Sequence, residues 1–317
     1  MHVPSDGVRH PGKRPKVAFV ATGGAAKGLA HLGVLRAAEE LGLRFDMFVG
    51  SSSGALVSAF YGQGVALDRL VDSFRSPWKR RFAGPHLVGR TFAGAPRLAD
   101  FANPGYLASG LFSIDPLERY LRERLPQNDF RKIDRSIYVV GIDLDSTDRV
   151  VFGRGYVEDV PVSQAVAASC CVPLLFRPYP INGRYYVDGE TKKTFSADIA
   201  IEQAADVLVI SNVYTPQIRK PGRKSIAFEG MRSVWNQTLN LVLHEKSLRG
   251  LDLYKKLYPE VQIVLIEPNI GHLGFLNRFR AREFVERGYR EALKQLSAAQ
   301  ARGTFSEVRR LRAVGAP

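Results

Sequence analysis

The sequence predicts an α/β fold built on a mostly parallel sheet, and three observations carry that prediction. Lys16-Val-Ala-Phe-Val-Ala21 is a short apolar run of strand length, and Leu29 to Leu41 follows it with apolar residues at helical spacing. The pattern then repeats, with Arg44-Phe-Asp-Met-Phe-Val49 as a second strand and Ala55 to Tyr61 as its helix. Each strand meets its helix through a turn of small residues, Thr22 to Gly28 in the first unit and Gly50-Ser-Ser-Ser-Gly54 in the second. Such units in series make right-handed crossovers between parallel strands, whose ligands lie at the strands' carboxyl ends. Both turns fall at that end.

Further along, Ser76 to Gly110 is interrupted by Pro77, Pro85, Pro96 and Pro104 and reads as a lid or side subdomain, residues 76–110. An amphipathic helix is expected around Pro116 to Leu125, strands near Ile137 to Ile142 and Val150 to Phe152, and a helix after Pro161. Asn182-Gly183 suggests a hairpin. Asp206-Val-Leu-Val-Ile210 and Val261-Gln-Ile-Val-Leu-Ile266 read as strands, separated by a long helical stretch around Phe228 to Tyr258. Gln217 to Lys224 reads as a solvated loop, and the final helix as Ala281 to Leu296. The organisation expected is a polar tail at 1–16, one main domain at 17–300 and a basic tail at 301–317.

The chain has 317 residues, 45% apolar and 24% charged, enough to bury a large core. The longest mostly apolar stretches, such as Ala165 to Phe176, fall short of the roughly 20 residues that span a bilayer. The first sixteen residues hold no apolar run resembling the core of a secretory signal, and Cys170 and Cys171 are adjacent, poorly placed to staple a loop. Both features fit a cytoplasmic protein. A net charge of +14 favours anionic surfaces, but no zinc-finger spacing, RNA-binding aromatic motif or helix-turn-helix pattern accompanies it. Sequence-specific nucleic-acid binding is therefore not expected. Trp78-Lys-Arg-Arg-Phe82 and Arg278, Arg280, Arg282, Arg287 and Arg290 offer peripheral contact with an anionic membrane. The arginines also read, in preference, as a solvated helix face paired with Glu283 and Glu286.

Gly50-Ser-Ser-Ser-Gly54 matches G-x-S-x-G with Ser52 at its centre, between a strand and a helix, as a nucleophile elbow requires. Gly50 and Gly54 would give the backbone room to bend so that the hydroxyl projects. The bland reading is a serine-rich helix cap. Gly23-Gly-Ala-Ala-Lys-Gly28 shifts the balance, because an acyl-transfer serine needs nearby backbone N–H groups for the tetrahedral oxyanion. Ala25 breaks the dinucleotide pattern G-x-G-x-x-G, and no Gly-Lys-Ser/Thr follows for a P-loop. Lys27 is either a positive charge near the site or a solvated loop lysine.

Gly23 to Leu35 followed by Gly50 to Gly54 resembles the opening of patatin-like phospholipases. Gly110-Leu-Phe112, Ile142-Asp-Leu144, Ala168-Ser-Cys-Cys-Val-Pro173 and Tyr186-Val-Asp-Gly189 are similar to that family's later blocks, in order. The resemblance runs from about Lys16 to Asn212 and implies a three-layer α/β/α fold carrying a Ser-Asp dyad without a histidine relay. It places Ser52 as nucleophile and Asp188 as general base. It places Gly23, Gly24 and Ala25 in the oxyanion loop, with Lys27, Gly28, Gly50, Gly54 and Gly189 as supporting motif residues. It also implies an acyl lipid substrate; no metal-ligand cluster or cofactor fingerprint is evident in the sequence, so hydrolysis should need neither. The chain departs from the family at Ala25, where the loop usually has a third glycine, and at Glu190, where a small residue is common.

Other readings compete. Asp188-Gly189 is also a frequent turn pair, and Asp143 and Asp145 are other carboxylates on a strand. A Ser-Asp-His triad would draw on His244 or His272. A non-catalytic lipid-binding or scaffold protein would keep the fold with an altered loop.

Overall fold

The computed structural model describes residues 14–75, 94–95, 98–193, 195–271, 273 and 280–306. In chain order the first elements are β1 (Val17–Ala21), α1 (Leu29–Glu40), β2 (Met47–Gly50), α2 (Ser53–Tyr61) and α3 (Leu67–Arg75). Then come α4 (Pro104–Leu107), β3 (Gly110–Phe112), α5 (Asp115–Arg124), β4 (Ser136–Asp143), β5 (Arg149–Phe152) and α6 (Val162–Ser169). The chain continues with β6 (Leu174–Phe176), β7 (Tyr179–Ile181), β8 (Arg184–Asp188), α7 (Asp198–Glu202) and β9 (Val207–Ser211). It closes with α8 (Met231–Leu257), β10 (Gln262–Ile266) and α9 (Ala281–Ala301).

The main sheet has the order β10-β9-β1-β2-β4-β8-β7, with β5 also on β4, while β3 and β6 form a separate parallel pair. Strands β10, β9, β1, β2 and β4 are parallel, and β5, β7 and β8 are antiparallel to their neighbours. Parallel strands are covered on both faces, so they read as continuous apolar runs. Every residue of β1, β2 and β9 is buried.

Alternation along those strands produces three layers, because successive side chains point to opposite faces. Val17, Phe19, Phe48 and Val139 pack with α1, α2, α5, α6 and α9 in one core. Ala18, Val20, Met47, Val49, Tyr138 and Val140 pack on the other face with Ile199 of α7 and Leu251 and Tyr254 of α8. Helices α1 and α9 approach so closely that a side chain on Gly33 would strike the Val285 carbonyl, and one on Gly288 the Ala30 carbonyl. Glycine is needed there because backbone meets backbone.

Boundaries moved in places. The second strand starts at Met47 and not at Arg44, because Asp46 turns back to accept from Val17 N–H at 2.8 Å. The last helix continues past Leu296 to Ala301 through Ser-Ala-Ala-Gln-Ala, where alanine sustains it. Asn182 and Gly183 join β7 to β8 at φ values of 50° and 79°, the left-handed pair a tight hairpin demands. Much of the stretch 76–110 lies outside the described residues. Within it, Leu98–Ala102 forms a turn of 3-10 helix ahead of α4.

Candidate active site

The site sits at a break along one edge of β4. Val139 pairs with Gly50 of β2 and with Phe152 of β5, while Gly141 pairs with Asp188 of β8 and with Val150 of β5. A strand has only two edges, so β2 and β8 share the edge opposite β5, lying end to end. One is parallel to β4 and the other antiparallel, and their carboxyl ends therefore converge at Val140. Ser52 leaves from one end and Asp188 terminates the other. Two residues far apart in sequence are thus brought together by strand direction alone.

Ser52 holds φ 52° and ψ −123°, a conformation that costs a non-glycine residue about 1–3 kcal/mol and persists only where its surroundings impose it. Three contacts impose it. Gly50 lies against the backbone of Gly54 and Ala55, and a side chain there would come within 2.6 Å of the Ala55 nitrogen. Gly54 lies against the Ala21 carbonyl at the end of β1. Ser52 N–H donates to Ser169 Oγ at 2.8 Å, and that hydroxyl donates to the Val140 carbonyl at 2.6 Å, which fills the gap between the converging strands. Gly189 packs on the same carbonyl, with the Ser51 hydroxyl 2.9 Å from where its Cβ would stand.

The Ser52 hydroxyl stands beside the Asp188 carboxyl and helps to lower its pKa. Asp188 is buried, and its Oδ1 accepts from Glu190 N–H at 3.0 Å. Burial pushes this carboxyl up from 3.8 to about 6, while the Glu190 amide, the Ser52 hydroxyl and the Lys246 ammonium pull it down. The Cys170 thiol lies at the same hydroxyl, but burial and the Asp188 charge raise its pKa, so it stays protonated. Asp143 faces away, paired with Arg184 at 3.1 Å and capping the turn at Asp145 and Ser146, with its carboxyl held below the ordinary value.

The glycine turn differs from expectation at two positions. Gly23 N–H is not open, because it donates to Glu190 Oε1 at 3.0 Å. Gly24 takes φ 144° and Ala25 φ 47°, so alanine occupies the left-handed region, and their amides have no acceptor among the described residues. Glu190 is buried, and its other oxygen, Oε2, has no hydrogen-bond partner among the described residues. Burial first and the Asp188 charge second raise this carboxyl from 4.5 to about 8, so it is neutral at pH 7.

Lys27 is not a solvated loop lysine. It is fully buried beneath the turn, its Nζ donates to Asn240 Oδ1 of α8 at 2.9 Å, and desolvation lowers its pKa to about 7. Gly28 lies against the Ser53 side chain. His31 is buried with Nε2 on the Thr22 carbonyl at 2.8 Å and Nδ1 on Ser211 Oγ at 2.7 Å, and burial depresses its pKa to about 4. A neutral ring donating from Nε2 satisfies both contacts, which gives His31 a structural role. His244 stands 3.7 Å from Glu267 and away from Asp188, and His272 and His86 lie outside the described residues.

Sequence reasoning missed four residues that shape the site. Ser169 lay inside the Ala168 to Pro173 block, so its signal was present. Tyr214, Asn240 and Lys246 carried none, since their roles depend on how α8 and the end of β9 fold over the turn. Lys246 Nζ donates to the Glu190 carbonyl at 2.7 Å and the Thr191 carbonyl at 3.1 Å. Among the described residues, no group of three or more His, Cys, Asp or Glu could hold a metal ion.

Fold and site together define an α/β protein with an elbow serine facing a buried carboxyl. The chain belongs to the patatin-like phospholipase family, whose model matches residues 19–201. An uncharacterized NTE family protein of Mycobacterium tuberculosis is 25% identical over 299 residues, covering 88% of this chain and 46% of the relative. The chain thus spans about half the length of the curated relatives it matches first. A probable lipid hydrolase of Invertebrate iridescent virus 6 is 23% identical over 194 residues, covering 58% of this chain and 63% of that protein. Among solved structures, VipD from Legionella pneumophila is 16% identical with a TM-score of 0.49, over 91% of this chain and 68% of that one.

Proposed function

We propose that this protein hydrolyses carboxylic esters of phospholipids or related acyl lipids through a Ser52 acyl-enzyme, with Asp188 as general base. The observation that carries the reading is the convergence of β2 and β8 that sets the Ser52 hydroxyl beside a buried carboxyl raised to about 6, close to neutral pH, where a base works best. Asp188 takes the Ser52 proton as Oγ attacks the ester carbonyl, and the tetrahedral intermediate collapses as the leaving alcohol takes that proton. Water, deprotonated by Asp188, then attacks the acyl-enzyme, releases the fatty acid and restores Ser52. The open amides of Gly24 and Ala25 supply donors for the oxyanion.

Exposed Leu111 and Leu174, on the paired β3 and β6, form an apolar rim on which an acyl chain would enter. The outer face of α8 exposes Met231, Val234, Trp235, Leu241 and Val242, and Lys220, Arg223 and Lys224 stand on the loop that leads to it. An anionic lipid surface matches both the apolar stripe and the charge. Trp78 to Phe82 lies outside the described residues. In α9, Arg287 pairs with Glu283 at 2.9 Å and Arg290 with Glu286. Among the described residues no helix is long and apolar enough to cross a membrane.

The occupied Gly23 amide favours one other reading, a lipid-binding protein that keeps the fold without turnover. Fatty-acid release from mixed phosphatidylcholine and phosphatidylglycerol vesicles, at low and high salt, separates the two. Wild type is expected to release fatty acid, faster at low salt, and Ser52→Ala to lose at least about 10³-fold. Vesicle binding without release by any protein would establish the non-catalytic reading.

A further inference from the structure

Glu190 occupies the place where the oxyanion loop should present its first amide. Gly23 N–H donates to Oε1, while Oε2 is buried with no partner among the described residues. Glu190 Cγ and Ser52 Cβ each lie 2.9 Å from the point where a Gly23 Cβ would stand, so the carboxyl is inserted beside the nucleophile. The Tyr214 hydroxyl is 2.7 Å from the same point. The groups facing Glu190 are Asp188 at the end of β8, Lys246 from α8, Tyr214 after β9, Ser51 on the elbow and the Gly23 amide.

An ionised Glu190 would set a second negative charge beside Asp188 and oppose an oxyanion forming on the Ser52 ester. A neutral one has the reverse effect. With Oε1 accepting from Gly23, the proton belongs on Oε2, which has no hydrogen-bond partner among the described residues and has the Ser51 hydroxyl nearby. A buried donor without an acceptor is costly in the resting state and repaid when charge develops nearby. A carboxylic acid kept neutral by its surroundings is known to serve as an oxyanion donor.

On the reading of Ser52 as the nucleophile, we propose that Glu190 is a further catalytic residue. Its neutral carboxyl accepts from the Gly23 amide through one oxygen and donates to the oxyanion of the tetrahedral intermediate through the other. The proton remains on Glu190 throughout, so Asp188 alone exchanges protons with serine, alcohol and water. Burial and the Asp188 charge keep the acid protonated to about pH 8.

The test measures butyrate release from p-nitrophenyl butyrate by the full chain between pH 5 and 9.5, for wild type, Glu190→Gln and Glu190→Ala. Folded sites are counted by fluorophosphonate labelling of Ser52. Glutamine keeps both the acceptor and a donor, so it should stay within about threefold of wild type at pH 7. Wild type should decline above about pH 8, and Glu190→Gln should lack that decline. Glu190→Ala, per labelled site, should fall at least about tenfold. An alanine variant as active as wild type, or more so, would mean that Glu190 merely blocks the Gly23 amide and would overturn the proposal. So would an unchanged alkaline limb in Glu190→Gln, or a glutamine variant as impaired as alanine. If wild type neither hydrolyses the ester nor takes the label, the Ser52 reading fails, and this proposal fails with it.

Discussion

Asp188→Asn should remove activity and at the same time stabilise the fold, and the size of the second effect follows from burial. The wild-type carboxyl titrates near 6 in the folded protein and near 3.8 in the unfolded chain. Between those values the folded state binds more protons, so this group stabilises the fold as pH falls and costs stability as pH rises. Above both values the cost levels off at roughly 3 kcal/mol, and at pH 5 it is about half that. Asparagine keeps an oxygen for the Glu190 N–H and never ionises, so it escapes the cost. Urea unfolding of wild type and variant at pH 5 and pH 8 isolates this term, since the pH-independent effects of the substitution cancel. The variant's relative stability should rise by about 1.5 kcal/mol or more over that interval. Loss of the Asp188 charge also eases ionisation of Glu190, which acts in the same direction. A stability difference that stays flat with pH, or shrinks as pH rises, would show that Asp188 is not held in a desolvated site and would remove the physical basis for its basicity.

Two further outcomes rest on the packing around the site. Gly288→Ala should cost about 1–3 kcal/mol by urea unfolding, because its methyl group meets the Ala30 carbonyl across the α1–α9 contact; an unchanged midpoint would refute that close approach. Lys27, with its folded pKa lowered from 10.5 to about 7, sheds its proton earlier in the fold than in the unfolded chain. Its contribution to stability should therefore rise with pH from about 7 to 10.5, and Lys27→Met should lose that rise; parallel wild-type and variant profiles in urea melts would refute the dry environment.

The parts of this molecule legible in sequence were those set by local pattern. The buried parallel strands announce themselves as unbroken apolar runs, and the elbow as a serine flanked by glycines that give backbone clearance. The link between Ser52 and Asp188 was legible only by resemblance, because it depends on β8 running against β2 along one edge of β4. No spacing rule encodes that. Lys27 illustrates a second limit: a lysine in a glycine-rich turn reads as solvated until Asn240, more than two hundred residues later, is seen to close over it. Glu190 stood out as a departure from a small residue, but its acceptance of the Gly23 amide required the 3-10 turn after β8 to aim it back toward β1.

The electrostatics of the two carboxyls fix the order in which they ionise. Both carboxyls are raised by burial, and the Asp188 charge raises Glu190 further. Two acids sharing one dry site resist ionising together, so a charge on one keeps the other neutral. Asp188 has the Ser52 hydroxyl and the Glu190 amide beside it, and Glu190 has the Ser51 hydroxyl and the Gly23 amide. The form with Asp188 ionised and Glu190 protonated therefore dominates between about pH 6 and about pH 8. On the proposed mechanism, it is the charge state in which Asp188 can serve as base for Ser52 while Glu190 donates to the oxyanion. Glu190→Gln should accordingly leave the acid limb of the rate profile where wild type has it, since Glu190 is already neutral while Asp188 titrates.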